Sequence, residues 1–310
     1  MLAIHSENLT RTFGQVTAVD RFNLSVNRGE IFGLVGPDGA GKTTVMRLFS
    51  GILQPTSGEA WVLGHSLSRE AEPLKERIGY MAQRFALYGD LTVLENIRFY
   101  ADLYDVPKKA RFQRIERLLS FSNLTPFKDR LAQNLSGGMK QKLGLACVLV
   151  HTPEILFLDE PTNGVDPVSR RDFWRILYDL LREEVTIFVS TAYLDEAERC
   201  HRIALMHQGR LLSIGAPKEI KGLMKGELWE LCCEPRMKAV ETVKALSGVK
   251  GAGIFGDRVH VLFDHGPDAE ERMKRALLGA GFEILSLRKI PPSLEDVFIA
   301  TIPEGTESKA

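Results

Sequence analysis

Cysteine is scarce in this chain of 310 residues: the four present, Cys147, Cys200, Cys232 and Cys233, form no CxxC pair and no zinc-ligand spacing. That excludes a disulfide-stapled framework and points to reduced thiols in a cytosolic protein. Net charge is absent too. Forty basic residues balance forty acidic ones, which leaves no bulk field to steer nucleic acid or an anionic membrane face toward the chain. No apolar run reaches the ~18 residues of a membrane span, and residues 1–20 mix charge with polar groups rather than following a signal-peptide pattern. What remains is a globular composition, 44% apolar, long enough for two domains with a core each.

The most informative segment is GPDGAGKTT, residues 36–44, which follows the apolar run Ile31, Phe32, Gly33, Leu34, Val35 and opens a helical pattern. A strand–loop–helix turn of this kind directs successive backbone N–H groups inward and holds clustered negative charge, as in a nucleoside triphosphate. Gly36, Gly39 and Gly41 omit the Cβ atoms that would keep the backbone away from phosphates. Lys42 supplies a point charge for the β- and γ-oxygens, and the Thr43 hydroxyl suits Mg²⁺. Such a loop needs an acidic partner at the carboxyl end of a neighbouring strand. Ile155, Leu156, Phe157 and Leu158, followed by Asp159 and Glu160, supply it: Asp159 to hold Mg²⁺ through water, Glu160 to polarise the attacking water. The run LSGGMKQK, residues 135–142, sets a serine and two glycines before a helical stretch, an N-cap with free N–H groups along the axis and so a second anion site.

Short strands dominate the first thirty-five residues, with residues 27–30 as a turn, and the periodicity becomes helical over about residues 84–150. Strand–helix alternation then resumes with short apolar runs at 155–158 and 185–190, typical of strands covered on both faces, so the core sheet is expected to be largely parallel. The pattern changes near residue 222. Strands at 227–233, 249–255, 258–263 and 282–287, with helices at 236–246 and 268–279, read as the βαββαβ order of a ferredoxin-like unit. This second domain is expected over 222–302, as a docking or dimerisation appendage or as a regulatory ligand site; residues 303–310 read as a disordered tail.

The order GPDGAGKTT, Gln83, LSGG, ILFLDEP and a VDP loop resembles the ATP-binding cassette of ABC transporters over residues 1–221. The subtype resembles the daunorubicin-resistance-like ATPases of ABC-2-type exporters, through Met139 and Lys140 after LSGG and through PSLEDVF at residues 292–298. The fold implied is a P-loop NTPase of α/β class: a mixed sheet core, an antiparallel β subdomain and a helical subdomain, with the small α+β unit appended. The resemblance implies ATP and Mg²⁺ as ligands and ATP hydrolysis coupled to transport. It implies a nucleotide site of Gly36, Asp38, Gly39, Ala40, Gly41, Lys42, Thr43 and Thr44, with Phe13 stacked on adenine or, alternatively, serving as a core aromatic. Glu160, Lys42 and Gln83 would be catalytic, and Thr43, Gln83 and Asp159 would serve the metal. Ser136, Gly137 and Gly138 would embrace the γ-phosphate held by an opposing chain, with Asp166 at the seam. Residues 84–105 would form the docking face for a membrane subunit, with Phe85 and Tyr88 as docking aromatics or as ordinary helix-packing groups. The partners implied are integral membrane permease subunits and a second cassette, the same chain or another, on the cytoplasmic face of the membrane.

The chain departs from this family at one position. After Val189, Ser190 and Thr191 the pattern calls for histidine, and the residue is Ala192. A methyl group cannot donate to the γ-phosphate, so hydrolysis at this site is expected to be slow while ATP binding persists. An engineered substitution or a compensated variant would also account for Ala192. His201 and His207 lie too far along to substitute, and Asp38, a carboxylate where asparagine is more common, is expected to point outward. Two other readings stand beside the transporter motor: a non-catalytic scaffold half of an asymmetric pair, and a soluble ABC ATPase without a transporter.

Overall fold

The computed structural model describes residues 1–84, 87–264, 266 and 268–302. Phe85 and the tail at 303–310 lie outside the described residues. The chain divides into two compact units, Met1–Pro217 and Lys218–Ala310, four residues before the boundary read from the sequence.

The first unit opens with two long strands, β1 (Leu2–Phe13) and β2 (Val16–Asn27). They form a hairpin whose two-residue loop starts at Gly14, φ +58°, the left-handed conformation such a loop favours. With β4 (Ser57–Val62) and β5 (His65–Ser66) they make an antiparallel sheet in the order β2-β1-β4-β5. The strand β3 (Ile31–Val35) follows β2 after a tight turn but joins a different sheet. All five of its residues are buried, as its unbroken apolar run requires. It leads through the loop at 36–41 into α1 (Lys42–Phe49).

The second sheet has the order β10-β9-β3-β8-β7-β6, formed by β6 (Ile78–Met81), β7 (Ile155–Asp159), β8 (Thr186–Thr191), β9 (Arg202–His207) and β10 (Arg210–Gly215). β6, β7, β8, β3 and β9 run parallel, and β10 alone is antiparallel, so the core is a mixed sheet. Phe188 is fully buried near its middle, stacked on Phe32 at 5.5 Å and met edge-on by Phe49 at 5.6 Å. Between β5 and β6 lies a short helix, α2 (Ala71–Leu74).

The helical segment comprises α3 (Val93–Leu103), α4 (Lys108–Phe121) and α5 (Gly137–Leu149). Helix starts at Val93 rather than near residue 84, because Thr92 and Glu95 form a reciprocal capping box. The unit continues through α6 (Pro167–Arg182) and α7 (Leu194–Ala197), and a short α8 (Pro217–Lys221) follows.

Just after α5, His151 stacks on Tyr104 at 4.0 Å, and its Nε2–H donates to the Ile78 carbonyl at 2.9 Å. Nδ1 is buried without a partner. Burial holds the imidazole below its usual range, since protonation would bury an unpaired donor. A histidine with a depressed folded-state pKa contributes stability above its unfolded value of about 6.5, and that stability is lost as pH falls below it. The urea midpoint of the wild-type chain is therefore expected to fall more between pH 8 and pH 5.5 than that of His151→Gln; equal falls would remove His151 from the account.

The second unit contains β11 (Glu227–Cys233), α9 (Arg236–Lys244), β12 (Val249–Phe255), β13 (Arg258–Phe263), α10 (Ala269–Gly279), β14 (Ile284–Ile290) and α11 (Leu294–Thr301). Its sheet, β12-β13-β11-β14, is antiparallel throughout, a ferredoxin-like order. Trp229, Leu231, Val259, Val261, Met273 and Leu277 are among its core residues. The last strand starts two residues later than expected, because Gly281, φ +82°, and Phe282 serve the turn out of α10. The closing helix α11 has no counterpart in the sequence reading, although Ser293 and Asp296 form a capping box. His260 on β13 holds Asp296 through Nδ1 at 2.6 Å.

Candidate nucleotide site

The loop at residues 36–44 is shaped by what its glycines allow. A Cβ on Gly36 would stand 2.2 Å from the Met206 carbonyl oxygen, and one on Gly41, φ +105°, 2.3 Å from the Ala18 carbonyl. Only glycine lets the chain run this close to neighbouring backbone. The Gly36 N–H donates to the Thr191 carbonyl at 3.3 Å, which ties the loop to the end of β8. Asp38 and Gly39 at the tip are exposed, Ala40 and Lys42 are buried, and Thr43 and Thr44 are half-buried at the start of α1.

Lys42 is nearly buried and its ammonium is fully engaged. It donates to the Gly36 carbonyl at 2.8 Å and the Pro37 carbonyl at 3.0 Å, and pairs with Glu160 Oε1 at 3.0 Å. The other Glu160 oxygen accepts from the Gln83 amide at 3.0 Å and from the Asn163 amide at 3.3 Å. Glu160 is placed by a left-handed turn, φ +47°, whose N–H donates to Ser190 Oγ at 3.0 Å. Ser190 Oγ in turn donates to Asp159 Oδ1 at 2.6 Å. Asp159 Oδ2 is buried with no hydrogen-bond partner. A buried, unmatched carboxylate oxygen beside the loop is what a metal-bound water would satisfy, and the glycine cradle is open to phosphate, so the residues present fit both Mg²⁺ and a triphosphate.

The sequence reading missed the group beneath this site. Glu196, almost fully buried, accepts from the Thr162 hydroxyl and, at 2.9 Å, from the Thr191 hydroxyl. Its Oε1 lies 3.5 Å from Arg170 Nε. Because Thr162 follows β7 and Thr191 ends β8, this carboxylate binds the two strand ends that carry Glu160 and Ala192. Sequence shows only polar residues at the ends of two apolar strands; the pairing that gives them a role, such as Ser190 in register opposite Asp159, is visible only in the structure.

Other candidates lie apart from the loop. Ser136 caps α5 by accepting from the Met139 N–H at 3.3 Å. Gly138 packs so closely on α6 that a Cβ would meet the Ser169 Cβ at 2.4 Å, whereas one on Gly137 would meet nothing within 4 Å. Asp166 caps α6 through the Val168 and Ser169 N–H groups at 3.1 and 2.9 Å, and those bonds, the one from Ser169 foremost, hold its carboxyl below the usual range. Phe13 is 46% exposed at the hairpin tip, with the Arg11 guanidinium 4.5 Å over its ring. Ala192 is exposed directly after Thr191. His201 accepts from the Ile31 N–H, at the opposite end of β3 from the loop.

Residues 19–163 match the family model described as ABC transporter. Over 311 residues the chain is 32% identical to a daunorubicin resistance ATP-binding protein of Streptomyces coeruleorubidus, covering 99% of this chain and 97% of that one. The chain belongs to the ABC transporter family of ATP-binding proteins. It is also 43% identical, over 284 residues, to a probable multidrug ABC transporter ATP-binding protein of Escherichia coli; that match covers 91% of this chain and 48% of the relative, so the chain spans about half the relative's length. Among solved structures, a component of the CbiONQ ABC transporter complex of Clostridium perfringens aligns with a TM-score of 0.66 at 29% identity, over 71% of this chain and 91% of that one. The fold is thus that of the ABC ATPases, and Glu160, Lys42 and Gln83 of this ABC protein converge on one another within 3.0 Å contacts.

Proposed function

We propose that this chain is the ATP-hydrolysing subunit of an exporter, in which two cassettes close around ATP and drive separate permease subunits from the cytoplasmic face of the membrane. The observation that carries the reading is the Lys42–Glu160 pair, 3.0 Å apart and almost buried. Phosphate oxygens compete with the Glu160 carboxylate for the same ammonium, so ATP binding releases Glu160 to accept a proton from water. The loop N–H groups, Thr43 and Lys42 hold the phosphates, and Gln83 orients Glu160; Thr43 and Asp159, with Gln83 beside them, would hold Mg²⁺, which would supply charge neutralisation to the phosphates. Ser136, Gly137 and Gly138 close on the ATP of the opposing cassette, with Asp166 at the seam, and Phe13 meets the adenine. Residues 1–221 form the cassette, and the ferredoxin-like unit after it serves docking, dimerisation or regulation. Among the described residues no helix is long and apolar enough to cross a membrane.

Ala192 favours a second reading, in which this chain is the weaker half of an asymmetric pair and lends Ser136, Gly137 and Gly138 to a partner that does most of the hydrolysis. One missing donor at a developing negative charge is worth ~2.7–4 kcal/mol. Steady-state phosphate release is therefore expected to rise at least about tenfold in Ala192→His, with ATP affinity little changed. Brisk, equal turnover in both proteins would sink the weakened-site reading and leave an ordinary homodimeric motor.

A further inference from the structure

A cavity of about 380 Å³ opens beside the amino ends of β7 and β8, lined by α4, α5 and α6. The phosphate loop follows the carboxyl end of β3, and β3 runs parallel to β8, so the cavity lies at the other end of the sheet from the nucleotide site. Its volume falls in the lower part of the roughly 300–1,000 Å³ range of small-molecule pockets. Leu118, Leu149 and Leu180, all buried, give it an apolar floor.

The rim carries both signs of charge, and most of it cancels. Arg28 pairs with Glu154 at 3.2 Å, and Arg117 pairs with Glu183, all four side chains well exposed. Arg114 differs. It is half-buried, its guanidinium donates to the Val150 carbonyl at 3.2 Å, and among the described residues no carboxylate pairs with it. The remaining rim acid, Glu184, is exposed, where water and salt screen it. A guanidinium has five N–H donors in a planar fork suited to an acid group, and here most of them are unspent beside an apolar surface.

We propose that this cavity binds an amphipathic organic acid, its carboxylate or sulfonate on Arg114 and its compact apolar body over Leu118, Leu149 and Leu180. No other group in the cavity combines a half-buried charge with spare donors. The site is independent of the catalytic reading: it shares no residue with the nucleotide loop, and α5 separates Leu149 from the Ser136 cap by its whole length.

The test is calorimetric titration of the full chain, with saturating ATP present to occupy the nucleotide loop, using naphthalene-2-sulfonate and its neutral counterpart naphthalene-2-sulfonamide. The sulfonate is expected to bind saturably at one site and the sulfonamide about tenfold more weakly or worse. Arg114→Gln keeps a donor for the Val150 carbonyl and is expected to weaken the sulfonate about tenfold without changing the sulfonamide, while Arg175→Gln on the exposed face of α6 changes neither. No saturable sulfonate binding, equal affinity for the two probes, or indifference to Arg114→Gln would overturn the proposal. Should Arg114→Gln fail to fold, the preference of the wild-type chain for the charged probe, weakening as salt is raised, decides the matter alone.

Discussion

Glu160→Gln is expected to lower ATP turnover by about two to four orders of magnitude, the range for loss of a positioned general base, while ATP affinity stays the same or tightens. The amide preserves the shape of the side chain and its reach toward Gln83 and Asn163. It cannot take a proton from water, and it no longer competes as a charge for Lys42. In our reading the Lys42–Glu160 contact of the wild-type chain exchanges for phosphate when ATP enters, and both groups are nearly buried, so the exchange has a cost that the glutamine variant avoids. The measurement is single-turnover phosphate release beside equilibrium ATP binding, in the wild-type and the Ala192→His backgrounds. The second background matters because Ala192 already slows the wild-type reaction in our reading, which compresses the visible effect. Less than a tenfold loss in both backgrounds would mean that another group activates the water.

What the sequence made legible follows from which chemistry is local. The role proposed for residues 36–44 rests on backbone amides of consecutive residues, so their glycine spacing is written in one short string. Asp159 ends a five-residue strand buried along its whole length and Glu160 follows it, and an apolar run that stops on two acids is visible without knowing its neighbours. Ser190 and Glu196 were not legible as site residues, because their roles come from pairings across strands and helices: Asp159 opposite Ser190, and one carboxylate joining Thr162 to Thr191. In sequence the first two strands look short because Glu7, Asn8, Thr10 and Arg11 interrupt the apolar alternation. The register shifts there, and Asn8 takes φ +48°, so the strand continues through bulges that periodicity alone passes over. The closing helix was missed for the opposite reason. Its capping box is local, but a helix of eight residues shows too few turns for its periodicity to register.

Gly36→Ala should abolish productive ATP binding and destabilise the fold, and it separates two reasons for glycine in this chain. Its Cβ would stand 2.2 Å from a backbone oxygen, the Met206 carbonyl on β9, and 3.1 Å from the Ala40 Cβ. Neither neighbour is the free end of a flexible side chain. The strand β3 pairs with β9 through Val35 and Leu205, so relief requires moving the end of β3, and with it the loop N–H groups proposed to hold phosphate. Overpacking of this kind costs ~1–3 kcal/mol, which for a unit of this size lowers the melting midpoint by roughly 2–4 °C per kcal/mol. Gly137→Ala is the informative comparison. Its Cβ meets nothing within 4 Å, and its φ is not among the positive ones, so the isolated chain should melt as the wild type does. If Ser136, Gly137 and Gly138 close on the nucleotide of an opposing cassette, the added methyl meets that partner, and turnover falls with no loss of stability. Gly36→Ala with wild-type affinity and midpoint would refute the steric account of the loop. Gly137→Ala with wild-type turnover, measured at protein concentrations where two copies associate, would refute the account of α5 as the face presented to a second cassette.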